Sequence, residues 1–112
     1  MGRKLDLLQG TLDLLILRTL RGGAAHGHAI AKHIQRTSEE LLQVETGSLY
    51  PALHRLEAKG WIRATWDLSD KGKRARYYRL TREGRKQLSS ERSKWDAFAR
   101  AMGLVLTGNE RP

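Results

Sequence analysis

The spacing of apolar residues changes twice along this chain, and these changes restrict the fold more than any other feature. Up to residue 60, apolar residues recur with the spacing of helices. The runs WIRATWD (61–67) and ARYYRL (75–80) instead alternate as β-strands do. The polar, glycine-containing connection between them is typical of a β-hairpin. Helical spacing returns after residue 81, so the sequence predicts helices on both sides of a hairpin.

The first two predicted helices span residues 5–20 and 26–36. The first is apolar on two sides, which indicates that it lies between its own domain and a partner chain. One stripe comprises Leu8, Leu12, Leu15, Ile16 and Leu20, and the other comprises Leu7, Leu14 and Leu17. Gly22 and Gly23 are expected to end this helix.

A polar, solvated linker (37–46) is expected to lead into a third helix that ends near residue 60. Thr46 or Ser48 is the expected N-cap of this helix. Pro51 must lie close to the helix start, because a proline further in would break the hydrogen-bond ladder. Gly60 is expected to stop the helix.

The last predicted helix spans about residues 82–106 and is capped by Thr81. Its apolar residues recur at near-heptad spacing, as Leu88, Trp95 and Met102 show. The complete order is three helices, a hairpin and a long helix. The predicted fold class is therefore mainly α with a small β-hairpin, a winged helix-turn-helix followed by a long C-terminal helix.

The net charge favours a polyanionic partner. Lys and Arg number 21 against 12 acidic residues, which gives the chain a formal charge of +9. Nucleic acid and an anionic membrane surface both attract such a chain, and simple solubility is a third explanation. Residues 61–86 hold nine basic and three acidic residues. The hairpin tip is predicted to reach a phosphate backbone or minor groove, unless its charges only protect the strand edges, through Lys71, Lys73, Arg74 and Arg76.

One side of the third helix lacks the long charged side chains that normally cover a helix facing water. Leu49, Leu53 and Leu56 share an apolar side, and opposite them lie Gly47, Pro51, His54 and Ala58. This pattern suits a helix that lies close to the floor of a DNA groove, and packing on another protein surface is the alternative. In the DNA interpretation the predicted base or phosphate contacts are Tyr50, His54 and Arg55, with Thr46 or Ser48 on phosphate.

Other kinds of site find no support in the sequence. Cysteine is absent, and no hydrolase, phosphate-loop or paired-carboxylate motif occurs, so neither catalysis nor a cofactor is expected. His26, His28 and His33 lack the spacing of metal ligands, and a surface or packing role is expected for them. The apolar run 11–20 is too short to span a bilayer, so a cytoplasmic protein without a membrane partner is expected.

Four segments of the chain resemble the PadR family of bacterial transcriptional regulators. They are LLQGTLDLLILRTL, HGHAIAKHI, GSLYPALHRLEAKGWI and KRARYYRLTREGRKQL. Together they span nearly the whole chain, and the last two are the most distinctive. The single C-terminal helix makes the chain similar to the short subfamily. His28 departs from the family pattern, in which a Tyr is frequent at this position.

The resemblance implies a repressor that binds a palindromic operator in double-stranded DNA as a homodimer. It divides the chain into a winged helix-turn-helix domain (1–80), a dimerisation helix (81–107) and a disordered tail (108–112). The expected dimer interface comprises Leu14, Leu88, Trp95, Phe98 and Met102. Short members can bind planar aromatic ligands on a tryptophan comparable with Trp95, although a plain packing role for Trp95 is the favoured interpretation. A protein-interaction module whose basic wing binds an acidic partner is the alternative function.

Overall fold

The computed structural model describes residues 10–108, which form four helices and three strands. In chain order these are α1 (Thr11–Arg21), β1 (Ala25–His26), α2 (Gly27–Thr37), α3 (Thr46–Ala58), β2 (Ile62–Leu68), β3 (Arg74–Leu80) and α4 (Arg82–Leu106). The predicted helical residues 5–9, with Leu7 and Leu8, and the tail residues 109–112 lie outside the described residues. Among the helices that the structure describes, none has the length and apolar character to cross a membrane.

The hydrophobic core lies where α1, α2 and α3 meet the sheet. Its largest fully buried side chains come from all three helices and are Ile16, Leu17, Ile30, Leu53 and Leu56. Complete burial of such a side chain stabilises a fold by about 1.5–3 kcal/mol. Leu14 and Leu15 are partly buried against this core. Both predicted apolar stripes of α1 therefore have members inside the subunit.

The segment between α2 and α3 is only partly solvated: its acidic residues Glu39, Glu40 and Glu45 are exposed as predicted, whereas two of its apolar residues pack against the core. Val44 is only 9% exposed, and Leu42 is partly buried against the same cluster. The Leu42 N–H donates to the Ser38 hydroxyl at 3.0 Å. Glu39 and Glu40 adopt left-handed backbone conformations, with φ of 56° and 65°.

The wing is a three-stranded antiparallel sheet in the order β1-β3-β2, where the sequence predicted only two strands. The additional strand pairs through Ala25 with Tyr78 and through His26 with Tyr77. Two residues are too few for an alternating pattern to reveal a strand. The main ladder runs from the Ile62–Leu80 pair near α4 to the Leu68–Arg74 pair near the tip.

The start of α3 differs from its prediction, whereas its end agrees. Glu45 is the N-cap and Thr46 is the first helical residue, so neither Thr46 nor Ser48 is the cap. The Glu45 side chain makes no cap hydrogen bond. Pro51 lies in the second turn, where its missing N–H removes one hydrogen bond from the helix. Gly60 follows the helix with a left-handed φ of 78°, as expected of a C-terminal stop.

The long helix α4 has the predicted bounds. Thr81 is its N-cap, and the Thr81 hydroxyl accepts the Gly84 N–H at 3.0 Å. Gly84 lies so close to the Trp61 carbonyl that no side chain would fit between them. Gly84 and Leu88 are the buried residues of α4. Most of the helix beyond Leu88 therefore projects from the domain.

Candidate nucleic-acid interface

The side of α3 that lacks long charged side chains faces solvent. Its exposed residues include Gly47, Ser48, Pro51, His54 and Ala58. The opposite side is at most 3% exposed and comprises Leu49, Ala52, Leu53 and Leu56. The subunit itself therefore leaves this face open to a partner.

Packing inside the subunit does not explain why residue 47 is a glycine. A Cβ at Gly47 would meet no heavy atom within 4 Å. A glycine inside a helix costs about 0.5–1 kcal/mol relative to alanine. Among residues 10–108, no close contact at Gly47 accounts for this cost. An external surface that approaches the start of α3 closely would account for it.

Tyr50 bridges α3 and the start of α2. A Cβ on Gly27 would lie 2.6 Å from the Tyr50 hydroxyl oxygen, so the glycine leaves room for the ring. Tyr50 remains 39% exposed, and its side chain is held against α2 while part of it faces outward. Thr46 and Ser48 are exposed in the first turn of α3, where backbone N–H groups can bind a phosphate.

Arg55 is tied to the first helix. Its Nη2 lies 2.9 Å from Oδ1 of Asp13, and the side chains of Arg55 and Asp13 are 54% and 21% exposed. An ion pair with this exposure contributes at most about 1 kcal/mol to stability. Its main consequence is orientation, because one edge of the guanidinium is held by Asp13 while the remaining donors stay available.

The tip of the wing presents three exposed cations. Lys71, Lys73 and Arg74 are all exposed. The tip turn is closed by the Ser69 N–H, which donates to the Lys73 carbonyl at 2.7 Å. Gly72 supplies the left-handed φ of 76° that this turn requires. The three cations thus stand on a short, closed turn at the end of the sheet.

Arg76 was predicted to lie at the wing tip with Lys71, Lys73 and Arg74. It lies further along the strand and connects the wing to α3. Its Nη2 lies 2.9 Å from Oε2 of Glu57. Arg76 Nε is buried and has no hydrogen-bond partner in the part of the chain that the structure describes. Burial raises the pKa of the neighbouring Tyr78 hydroxyl. The positive charge of Arg76 lowers this pKa, and the negative charge of Glu57 raises it further. Arg76 is therefore partly engaged in the fold, unlike the cations at the tip.

The histidines of the α2 region have structural or surface positions. His26 Nδ1 accepts the Ala29 N–H at 3.1 Å and so caps α2. The His26 ring meets Tyr77 edge-on, with ring centroids 5.3 Å apart. His28 and His33 are exposed. Within residues 10–108, no group of His, Cys, Asp or Glu side chains could hold a metal ion.

The projecting part of α4 exposes large apolar side chains. They are between 37% and 77% exposed and comprise Trp95, Phe98, Met102, Leu104, Val105 and Leu106. The Trp95 and Phe98 rings have centroids 6.1 Å apart. Leu88 differs, because it is 6% exposed and belongs to the core of its own subunit. This burial corrects the prediction that Leu88 lies in a dimer interface.

Trp66 and Leu68 are exposed residues of the wing that the sequence analysis did not select. They are 59% and 62% exposed. Both lie on the sheet face of the buried Ile62, although the sequence analysis had placed Trp66 in the first strand and Leu68 in the turn that follows it. The alternation could not show that the tip half of this face extends beyond the core. The Arg74 guanidinium lies 4.9 Å from the centroid of the Trp66 ring.

Comparisons with known proteins agree with this architecture. Residues 16–90 match the family model described as "Transcriptional regulator PadR-like family". Transcriptional regulator Rv3488 of Mycobacterium tuberculosis is 34% identical over 95 residues, which cover 85% of each chain. The solved structure of a transcriptional regulator from Clostridium thermocellum is 32% identical and covers 85% of this chain and 92% of its own, with a TM-score of 0.78. The crystal structure of a PadR family regulator from Eggerthella lenta is 33% identical and covers 90% and 86%, with a TM-score of 0.76.

Proposed function

This chain belongs to the PadR-like family of transcriptional regulators, and from this premise we propose that it binds a palindromic DNA operator as a homodimer. Occupation of a promoter by this dimer represses transcription. In this proposal residues 1–80 form the DNA-binding domain, and residues 81–107 form the dimerisation helix.

The observation that carries the proposal is the exposed face of α3. A recognition helix reads base edges mainly from its N-terminal turns, and small residues there allow close approach to the groove floor. Gly47 supplies such a residue, and space around it is open. Tyr50, His54 and Arg55 flank the face as base or phosphate contacts. Thr46 and Ser48 bind phosphate at the helix start through their hydroxyl groups, since the Ser48 N–H already donates to the Glu45 carbonyl at 3.0 Å. The N-cap Glu45 makes no side-chain cap hydrogen bond there.

The wing adds contacts that do not depend on sequence. Lys71, Lys73 and Arg74 contact phosphates, since ammonium and guanidinium groups at an exposed turn release counterions from DNA when they bind. Arg76 is the fourth predicted phosphate contact of the wing, and its ion pair with Glu57 also connects the wing to α3. The basic tip and the open face of α3 together support a duplex as the partner.

Dimerisation supplies the second recognition helix. The exposed stripe on α4, with Trp95, Phe98 and Met102, is apolar surface of the kind that marks a protein interface, which supports pairing of two copies. Leu14 on α1 adds to the pairing surface. Two copies paired along α4 would place their recognition helices about one DNA turn apart, roughly 34 Å.

Trp95 gives the dimer a candidate effector site. In our proposal Trp95 is a packing residue of the dimer interface, and a planar aromatic effector is the second candidate for the same position. Such an effector would act by stabilising a spacing of the two recognition helices that does not fit DNA. Titrating planar aromatic compounds into a Trp61→Phe, Trp66→Phe variant and recording Trp95 fluorescence separates the two. Quenching that saturates supports an effector, and unchanged emission supports packing alone.

The direct test of the proposed function is a gel shift with the DNA upstream of the chain's own gene. We expect a discrete complex with this duplex that survives excess random DNA. A reporter driven by the same promoter should become more active when the protein is deleted. Absence of binding to this duplex and to every duplex in a random pool would contradict the proposal. Binding of the wing to an acidic protein, with α3 left uninvolved, would instead support the protein-interaction module.

A further inference from the structure

The wing carries two exposed apolar side chains, Trp66 and Leu68, that belong neither to the core nor to the predicted contacts. We define the wing patch as these two residues together with Arg74, a predicted phosphate contact that lies beside the Trp66 ring. Strand register places Trp66 opposite Arg76 and Leu68 opposite Arg74, on the sheet face of the Ile62–Leu80 and Ala64–Tyr78 pairs. The Ile62 and Tyr78 side chains are 2% exposed, whereas Trp66 and Leu68 are 59% and 62% exposed. The inner sheet face therefore continues beyond the core as an open surface.

The wing patch is held in a defined position beside α3. The Arg74 guanidinium lies 4.9 Å from the centroid of the Trp66 ring, which is cation–π contact distance. Next to Trp66 on the neighbouring strand, Arg76 forms its 2.9 Å ion pair with Glu57 of α3. Trp66 is thus connected to α3: it lies opposite Arg76 in the strand pairing, and Arg76 forms the ion pair with Glu57.

The chemistry of the wing patch fits one class of partner. A Trp ring and a Leu side chain bind apolar surface, and the cations around them require negative charge nearby. Arg74 lies within the wing patch, and Lys71 and Lys73 stand on the adjoining turn. The minor groove of a duplex offers this combination, because apolar deoxyribose edges line it and phosphates border it on both sides. Apolar side chains inserted from a protein into a minor groove are a recognised means of binding and bending DNA.

We propose that Trp66 and Leu68 contact deoxyribose and base edges in the minor groove next to the major groove occupied by α3. This inference rests on the proposed DNA-binding function and assigns to it two further contact residues. Arg74 orients the Trp66 ring and neutralises the adjacent phosphate. The wing thus contributes apolar contact in addition to charge.

Salt dependence distinguishes this contact from an ionic one. The test uses the full-length protein and a fluorescent duplex that the wild-type protein enriches from a random pool, with anisotropy recorded at several salt concentrations. Trp66→Ala and Leu68→Ala should each weaken binding about tenfold while the slope of log K against log salt stays unchanged, since neither side chain releases counterions. Thr65→Ala, which alters the exposed residue on the opposite sheet face, is the matched control and should bind as the wild type does. Thermal unfolding of each variant establishes that the fold is retained.

A second measurement follows Trp66 itself. The difference in emission between the wild type and a Trp66→Phe variant isolates the signal of Trp66 and leaves Trp61 and Trp95 in place. Acrylamide should quench its emission in the free protein, and saturating duplex should protect it. Trp66 that stays fully accessible in the DNA complex, or Trp66→Ala binding with wild-type affinity, would overturn this inference alone. Protection by polyglutamate but not by duplex would assign the wing patch to an acidic protein and would also overturn it. If the wild type enriches no duplex, both this inference and the proposed function fail.

Discussion

At the residue scale, Gly47 gives the sharpest distinction between stability and binding. Alanine at this position meets no neighbour within 4 Å, so Gly47→Ala should stabilise the fold by about 0.5–1 kcal/mol. The added methyl group should at the same time hinder close approach to a groove floor and weaken operator binding. Urea unfolding and DNA anisotropy measure the two effects. For the unfolding measurement Gly103→Ala is the matched control, because Gly103 is also a helical glycine with open space around it. Equal operator affinity of Gly47→Ala and wild type would show that no groove floor approaches this face closely.

His54 tests whether the exposed face reads base sequence. It is exposed near the middle of α3 and forms no part of the core. His54→Ala should weaken binding to the operator by roughly 1–3 kcal/mol if the imidazole contacts a base edge, and should weaken binding to random DNA much less. Competition gel shifts with the two duplexes provide the measurement. An equal loss on both would mean that His54 only positions the protein.

The sequence pattern predicted which side of α3 is buried, but it did not predict contacts between distant parts of the chain. The pattern around Leu49, Leu53 and Leu56 correctly identified the buried side of α3, because helical periodicity determines which residues share a face. It could not show that Arg55 pairs with Asp13, since that contact joins residues far apart in the chain. The exposure of Trp66 was missed for a related reason, as strand period gives the face but not the extent of the core.

At the element scale, the wing tip should set the salt dependence of DNA binding. Lys71 and Lys73 are exposed on a turn and have no strong internal partner among the ion pairs of the described residues. Replacing both by Ala should weaken binding to all sequences and flatten the slope of log K against log salt by about one for each phosphate that the variant no longer neutralises. Anisotropy titrations over a range of salt measure this slope. The same slope in the variant and the wild type would show that the tip does not touch the backbone.

The contact between α4 and the wing predicts a stability effect. Gly84 packs directly on the Trp61 carbonyl, so Gly84→Ala must displace either the helix or the strand. We expect a loss of about 1–3 kcal/mol in the free energy of unfolding, as overpacking of a tight contact typically costs. Urea unfolding checks this value. The control variant Gly103→Ala, on the open part of the same helix, should unfold at the same urea concentration as wild type or a higher one.

Long elements were predictable and short ones were not. The bounds of α4 agreed with the sequence because Thr81 provides a cap and the following apolar spacing persists over many turns. The two-residue strand β1 has no period to detect and exists only because β3 provides its hydrogen-bond partner. Val44 is buried for the same kind of reason, since its environment comes from helices that lie elsewhere in the sequence.

At the scale of the whole molecule, the proposed function requires a dimer. Phe98→Glu with Met102→Glu places two charges on the exposed apolar stripe of α4, and the chain should become monomeric. The affinity for the operator should then fall strongly, because a monomer brings only one recognition helix to an operator that has two half-sites. Sedimentation velocity and anisotropy measure the two changes. Ser93→Glu adds a charge on the opposite side of α4 and should leave the dimer intact. A wild-type chain that is monomeric at working concentration would refute the paired arrangement.

The central claim is that the exposed face of α3 is covered by a DNA duplex. Amide chemical shifts of the isotope-labelled protein, recorded with and without the enriched duplex, test this claim most directly. We predict that the largest changes fall on residues 46–55 and on the wing tip at 69–74, with little change along the buried side of α1. Shift changes that leave residues 46–55 unaffected while the duplex is bound elsewhere would contradict the claim.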